Sequence, residues 1–194
     1  MIVNNWKARI NELSRKTTCV IGVISKIKFI LPSSVLINLY NTLILPHSTY
    51  CNIIWGNCSN YLLQRLFLLQ KRAIRIITKS PYLAHTSVLF RQLKILNIYD
   101  LHLYLVAIFM FLYMKNIRPE SFNEFFVPQS NINRYITRNA DRLYLPNYRY
   151  TFSRTTLKYR GPFIWNMLQS EFKKCQSLSS FKRKYKSFLI DNAL

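Results

Sequence analysis

The sequence predicts a mostly α-helical fold: a helical bundle followed by a smaller, loop-rich and basic C-terminal part. Apolar residues recur at helical spacings along most of the chain, and only three of its 194 residues are glycine. This scarcity disfavours a turn-rich all-β fold and excludes glycine-rich phosphate loops. The 36 residues from Phe29 to Gln64 contain no Asp, Glu, Lys or Arg. We expect this charge-free segment to form the inside of the bundle.

Helix ends are marked along the chain by proline, glycine and polar residues. The predicted helices cover residues 5–29, a stretch from Pro32 to a break at Pro46, a segment ending at 55–57, and residues 62–79, 85–98, 100–116 and 178–190. Gly161-Pro162 should open one more helix, because proline suits a first helical turn. Residues 117–160 are expected to be loops, and weak alternation over 148–159 suggests a short β-hairpin. We place a domain boundary between 1–116 and 117–194.

The segment from Leu62 to Lys79 is the most informative in the chain. On a helix of 100° per residue, its main apolar positions fall within about 100° of one another; they are Leu62, Leu66, Leu69, Ala73, Ile76 and Ile77. Phe67 and Ile74 widen this apolar face. The opposite face carries Arg65, Arg72, Arg75 and Lys79, with Lys71 at its edge. One helix therefore offers a face to a protein core and a face to a polyanion. The simpler interpretation is the solvated surface of an ordinary bundle helix.

The net charge favours the polyanion. The chain has 28 Lys and Arg against 7 Asp and Glu, a formal charge of +21, and the excess is spread over both halves. So many like charges repel one another in a compact protein, which indicates a polyanionic partner. Nucleic acid is the first candidate for this partner and an anionic membrane surface the second. The longest strongly apolar run, residues 103–114, is shorter than the roughly 20 residues of a membrane span. With no signal peptide visible, we expect no stable membrane insertion and a cytoplasmic or nuclear location.

Catalytic and metal sites are not predicted. Only Glu120 and Glu124 are close among the seven carboxylates, whereas a two-metal centre needs several that converge. His47, Cys51, Cys58 and His85 lack the close ligand pairs of structural zinc sites. We therefore expect no catalytic residue, no metal ligand and no cofactor in this chain.

Further basic residues extend the candidate nucleic-acid surface. They are Arg154, Lys158 and Arg160, which are interleaved with tyrosines, and Lys182 and Arg183 near the C-terminus. Arginine binds two phosphate oxygens with its planar fork, and tyrosines stack on bases or sugars. The tyrosines are equally typical of a packed loop region. The C-terminal pair, Lys182 and Arg183, is also typical of a solvated helix face.

The order of several short motifs resembles the region after the catalytic palm in non-LTR (LINE-type) retrotransposon reverse transcriptases. The motifs are Leu39-Tyr40-x-x-Leu43-Ile44-x-Pro46, Tyr50-Cys51, Trp55-Gly56, Gln70-Lys71-Arg72-Ala73-Ile74-Arg75, His85-Thr86, Thr137-Arg138, Trp165-Asn166 and Phe181-Lys182. The resemblance covers most of the chain, from about residue 6 to residue 189.

This resemblance implies a helical thumb and a C-terminal extension that hold a template–primer duplex beside the palm and fingers of the intact polymerase. The palm of such enzymes binds catalytic Mg²⁺ through adjacent aspartates, which this sequence lacks. We therefore expect a truncated C-terminal fragment that is not an enzyme by itself. It should bind the sugar–phosphate backbone of an RNA–DNA duplex. A basic membrane-surface protein and an interaction protein adopted by the host are the alternatives.

Overall fold

The computed structural model describes residues 6–117, 122, 125–132 and 142–192, and the statements below concern these residues. Their secondary structure is helical, which confirms the predicted fold class. The α-helices are α1 (Lys7–Ile27), α2 (Ser33–Leu43), α3 (Leu45–Thr49), α4 (Asn52–Trp55), α5 (Asn60–Ile77), α6 (Thr86–Leu93), α7 (Ile98–Met114), α8 (Leu157–Met167), α9 (Ser170–Lys173) and α10 (Leu178–Asp191). Short 3-10 helices cover Gln129–Asn131 and Thr151–Thr155.

The β-hairpin predicted over 148–159 is wrong. Residues Thr151–Thr155 form a 3-10 helix, and α8 begins two residues later. The hydroxyl groups of Thr155 and Thr156 donate hydrogen bonds to the carbonyls of Phe152 and Ser153, which favours a turn over an extended strand. The Thr156 carbonyl also accepts from the amide of Arg160, so α8 begins one turn before the predicted Gly161-Pro162 start.

The chain divides into two compact units. Unit 1 contains residues 1–102 and 187–194, and unit 2 contains residues 103–186. The division falls within α7 and within α10, whereas the predicted domain boundary lies after residue 116.

The core of unit 1 is built largely by the charge-free segment together with α1 and α5. Its buried side chains are Ile21, Ile24, Leu36, Tyr40, Ile44, Ala73, Ile74, Ile77, Phe90 and Ile95. One polar pair crosses this core: the Gln70 side-chain amide donates to the Tyr40 hydroxyl at 2.7 Å and to the Leu96 carbonyl at 2.9 Å. Because buried polar groups cost free energy unless they are paired, these bonds fix α2 and Leu96, two residues before α7, against α5.

A close approach in unit 1 requires glycine at position 56. The Asn52 side-chain oxygen lies 3.1 Å from His102 Nδ1, and both residues are buried. The Asn52 amide nitrogen donates to the Ser48 carbonyl, so its oxygen is the acceptor and His102 Nδ1 carries the hydrogen. A Cβ atom on Gly56 would lie 2.5 Å from each of these two side-chain atoms. Glycine therefore lets the backbone pass over the pair.

Unit 2 is held by aromatic packing and by a second close approach. The rings of Phe111 and Phe181 are stacked with their centroids 4.5 Å apart. A Cβ atom on Gly161 would lie 2.7 Å from the Met110 sulfur, so glycine lets α8 approach α7. Asn166 donates to the Leu143 carbonyl and accepts from its amide, at 2.8 and 3.0 Å. Leu143, in the region that the sequence predicted as loops, is thereby bonded to α8; residues 118–121, 123–124 and 133–141 of that region lie outside the described residues.

No single helix among the described residues is long and apolar enough to cross a membrane, although α6 and α7 together, bent by 40°, reach the required length and composition.

We predict opposite effects of alanine at two glycines. Gly56→Ala should lower the free energy of unfolding by about 1–3 kcal/mol, because the methyl group meets Asn52 and His102. Gly22→Ala is the matched control: Gly22 lies in α1 with no atom within 4 Å of an added Cβ. It should raise the free energy of unfolding by up to about 1 kcal/mol through helix propensity. Urea denaturation followed by circular dichroism measures both, and equal effects would contradict the described packing.

We predict that Tyr40→Phe lowers the free energy of unfolding by about 1 kcal/mol near neutral pH, because Gln70 loses one acceptor. Burial raises the pKa of Tyr40 to about 12, above its ordinary value of 10.0. Between these values the unfolded chain loses the tyrosine proton while the folded protein keeps it, so wild-type stability falls as pH rises. The variant lacks this titration.

The difference in free energy of unfolding between wild type and Tyr40→Phe should therefore be smaller at about pH 11 than at about pH 9. Urea denaturation at both pH values measures it. A difference independent of pH would show that Tyr40 is not buried as described.

Candidate nucleic-acid interface

Helix α5 has the two faces that its sequence predicts. Its buried residues are Leu63, Leu66, Gln70, Ala73, Ile74 and Ile77. The centre of this set lies roughly 60° around the helix from the centre of the six-residue arc, on the side that the predicted Phe67 and Ile74 extend. Leu62, Leu69 and Ile76 are only partly buried, at the edge of the face that α5 packs against the core of unit 1. The polar Gln70 shifts the buried face because its hydrogen bonds to Tyr40 and Leu96 place it inside.

The predicted basic residues of α5 lie away from this core. Arg65 and Arg72 are exposed, whereas Lys71 is partly buried. The Arg65 Nη1 group donates to the Asn11 side-chain oxygen at 2.8 Å, so Arg65 is fastened to α1. The Lys71 ammonium lies 4.4 Å from the centroid of the Phe67 ring, a cation–π contact. Arg72 projects into solvent without a hydrogen bond or ion pair to any described residue.

Arg75 is held in place at the end of α5. Its Nε group donates to the Ala84 carbonyl at 3.1 Å, and its guanidinium carbon lies 5.8 Å from the Tyr82 ring centroid. Because Nε is occupied, the two Nη groups are the donors left for an anion. Lys79 lies beyond the helix and is exposed; its φ of 53° is left-handed, so the chain turns there. Arg75 is thus oriented by the protein, whereas Lys79 is a solvated cation.

A pocket of about 270 Å³ lies where α5 meets the end of α1. Its lining residues are Ser25, Lys28, Arg72, Arg75, Ile76, Ser80 and Tyr82. Lys28 was not among the predicted site residues, because the basic residues of α5 and the end of α1 are brought together only by tertiary packing. The two lysines at 26 and 28, separated by one residue, were the available signal.

Two of the four carboxylates among the described residues form ion pairs, and both do so away from the pocket. Glu12 forms ion pairs with Lys16 at 2.7 Å and with Arg9 at 3.4 Å, and Glu171 forms one with Lys184 at 3.9 Å. None of the residues that line the pocket is acidic. A concave surface lined by three cations without a counter-charge produces a positive potential and attracts anions.

The predicted site residues of unit 2 have mixed surroundings. Arg154, Lys158, Lys182 and Arg183 are exposed. The Arg154 Nη2 group donates to the Tyr148 carbonyl at 3.4 Å. Lys182 and Arg183 lie on the outer face of α10, whose residues Phe181 and Tyr185 are buried. These four cations are available to a ligand.

Arg160 differs from these four residues. Its guanidinium carbon lies 5.6 Å from the Phe163 ring centroid, and its Nε atom is buried with no hydrogen-bond partner among the described residues. Burial lowers the pKa of Arg160, and the neighbouring Tyr159 opposes that shift. Tyr159 itself stacks on Phe163 with ring centroids 6.1 Å apart. Arg160 and Tyr159 therefore contribute to packing in unit 2.

In the part of the chain that the structure describes, no three His, Cys, Asp or Glu side chains lie together as metal ligands would. Compared with known proteins, the chain matches no protein-family model, no curated protein and no solved structure.

Proposed function

We propose that this protein binds the phosphate backbone of double-stranded nucleic acid through the exposed basic face of α5. The observation that carries the proposal is the position of Arg72. It lies opposite the buried face, exposed and without a described partner, in line with Arg65 and Arg75. An unpaired, exposed arginine between two others fits phosphate binding better than it fits a structural role.

The length and stiffness of α5 support a duplex ligand. Its 18 residues span about 27 Å at 1.5 Å per residue, enough to follow several successive phosphates. The guanidinium groups of Arg65 and Arg75 are oriented by Asn11 and by Ala84. Side chains that are already ordered lose less conformational entropy when they bind.

The resemblance to retrotransposon reverse transcriptases supports an RNA–DNA template–primer duplex as the first ligand to test. In such enzymes the thumb and the residues after it hold the duplex, while Mg²⁺ chemistry belongs to the palm. We propose a holding role without catalysis for this chain, with palm and fingers regions as further partners. The surroundings of such a duplex are cytoplasmic or nuclear.

Binding should depend strongly on salt. Five phosphate contacts, from Arg65, Lys71, Arg72, Arg75 and Lys79, give a slope of log affinity against log salt of about −4.5. Affinity for a fluorescent RNA–DNA hybrid should therefore fall about 500-fold between about 50 and 200 mM salt. Fluorescence anisotropy measures the slope. Affinity that hardly changes over this range would contradict backbone binding.

Charge reversal on α5 should weaken binding more than the same change elsewhere. Arg72→Glu should lower affinity at least about tenfold and reduce the salt slope by about 1 or more, because one phosphate contact is lost. Arg15→Glu is the matched control, because Arg15 is an exposed arginine of α1 outside the pocket. Circular dichroism should show that both variants are folded.

Equal losses of affinity in the two variants would indicate that the hybrid is attracted by the net charge of the protein and not by the basic face of α5. Unfolding of Arg72→Glu would show that this face is structural. The double variant Arg72→Glu/Arg75→Glu should bind more weakly still, since Arg75 supplies a neighbouring contact.

A further inference from the structure

The pocket beside α5 is richer in phosphate-binding groups than an internal backbone phosphate requires. Lys28, Arg72 and Arg75 supply three cations, and Ser25 and Tyr82 supply hydroxyl groups, whereas the Ser80 hydroxyl is paired with that of Thr78 at 2.8 Å. An internal phosphodiester carries one negative charge. A phosphate monoester carries about −1.5 to −2 at neutral pH and has three free acceptor oxygens. Three cations that line one pocket match a monoester better than a diester.

The volume of the pocket limits the ligand. Pockets for drug-sized ligands measure about 300–1,000 Å³, and this one measures about 270 Å³. This volume accommodates a phosphate with part of its sugar. In nucleic acid a phosphate monoester occurs only at a strand end. A terminal phosphate is bonded to one nucleotide, so the pocket needs no second opening for a continuing strand.

An exposed aromatic side chain lines the pocket, and further exposed apolar residues follow its lining residues in the sequence. Tyr82 lines it and is 82% exposed, and Phe29 follows the lining residue Lys28 and is 79% exposed. Each ring has a pocket cation beside it: Lys28 Nζ lies 4.7 Å from the Phe29 centroid, and Arg75 lies 5.8 Å from that of Tyr82. The next residues, Ile30 and Leu83, are 79% and 85% exposed.

Exposed aromatic rings beside a phosphate site are stacking surfaces for bases. Inside a duplex each base pair is covered on both sides by its neighbours. The terminal pair alone presents an uncovered face, so a stacking ring at the border of the pocket also selects a strand end.

We propose that the pocket formed by Lys28, Arg72 and Arg75 binds a terminal phosphate monoester of a nucleic-acid strand, with the terminal base against Tyr82. This proposal rests on the nucleic-acid binding proposed above and adds an end preference to it. The phosphate is the 5′- or the 3′-terminal group, which have the same chemistry.

The test compares three blunt RNA–DNA hybrids of roughly 20 base pairs that differ only in their ends. One carries 5′-phosphates, one carries 3′-phosphates and one carries hydroxyl groups at all ends. The full chain should bind one phosphorylated hybrid about fivefold or more tighter than the hydroxyl-ended hybrid in fluorescence anisotropy. The stronger of the two phosphorylated hybrids identifies which end is bound.

Lys28→Gln should reduce this ratio of affinities to near 1. Lys26→Gln removes the same charge from an exposed lysine two residues away, outside the pocket, and should keep the ratio. Tyr82→Ala should also lower the ratio; because Tyr82 is exposed, this variant is expected to fold even if Lys28→Gln does not.

Equal binding of the three hybrids by the wild-type protein would overturn the end preference. If that binding were still salt-sensitive, the proposed function would stand, whereas salt-insensitive binding would overturn both. Displacement of the phosphorylated hybrid by phosphatidic acid vesicles, but not by vesicles of neutral lipid, would assign the pocket to a membrane headgroup instead.

Discussion

The packing of α5 against α1 is the interaction on which the rest of unit 1 depends. Ile74 and Ile77 of α5 are fully buried with Ile21 and Ile24 of α1, and α2 and α6 complete the same core. Burial of apolar surface stabilises by about 25 cal/mol per Å², and it has to offset the repulsion of a chain with charge +21. The charge-free segment permits this because it gives α5 a surface without Asp, Glu, Lys or Arg.

The same packing creates the proposed site. Two cations of the pocket belong to α5 and the third, Lys28, directly follows α1, so their approach is forced by the core and not by attraction. Cations held together in this way repel one another, and an anion that enters relieves that repulsion. The carboxylates that might have done so within the protein are few, and Glu12 is already paired with Lys16 and Arg9.

Periodicity alone predicted the fold class, the position of α5 and the presence of its basic face. It placed the buried arc of α5 too far to one side, because the hydrogen bonds of Gln70 to Tyr40 and Leu96 depend on tertiary neighbours. Lys28 was missed for the same reason. The start of α7 was predicted late because the Asn97 side chain accepts from the amides of Tyr99 and Asp100 and so caps the helix earlier. Local hydrogen bonds of threonine hydroxyls likewise replaced the predicted hairpin.

The pocket cations lie on α5 and directly after α1, and this placement has a thermodynamic consequence. The site exists only while α1 and α5 are packed, and the unfolded chain does not preserve it. Any anion that occupies the pocket must therefore stabilise unit 1 by linkage, by about 2.7 kcal/mol at a free concentration one hundred times its Kd. Arg65, bonded across to Asn11 of α1, lies at another contact between the same two helices. Occupancy of the pocket by an anion and the folding of unit 1 are thus coupled equilibria, and each favours the other.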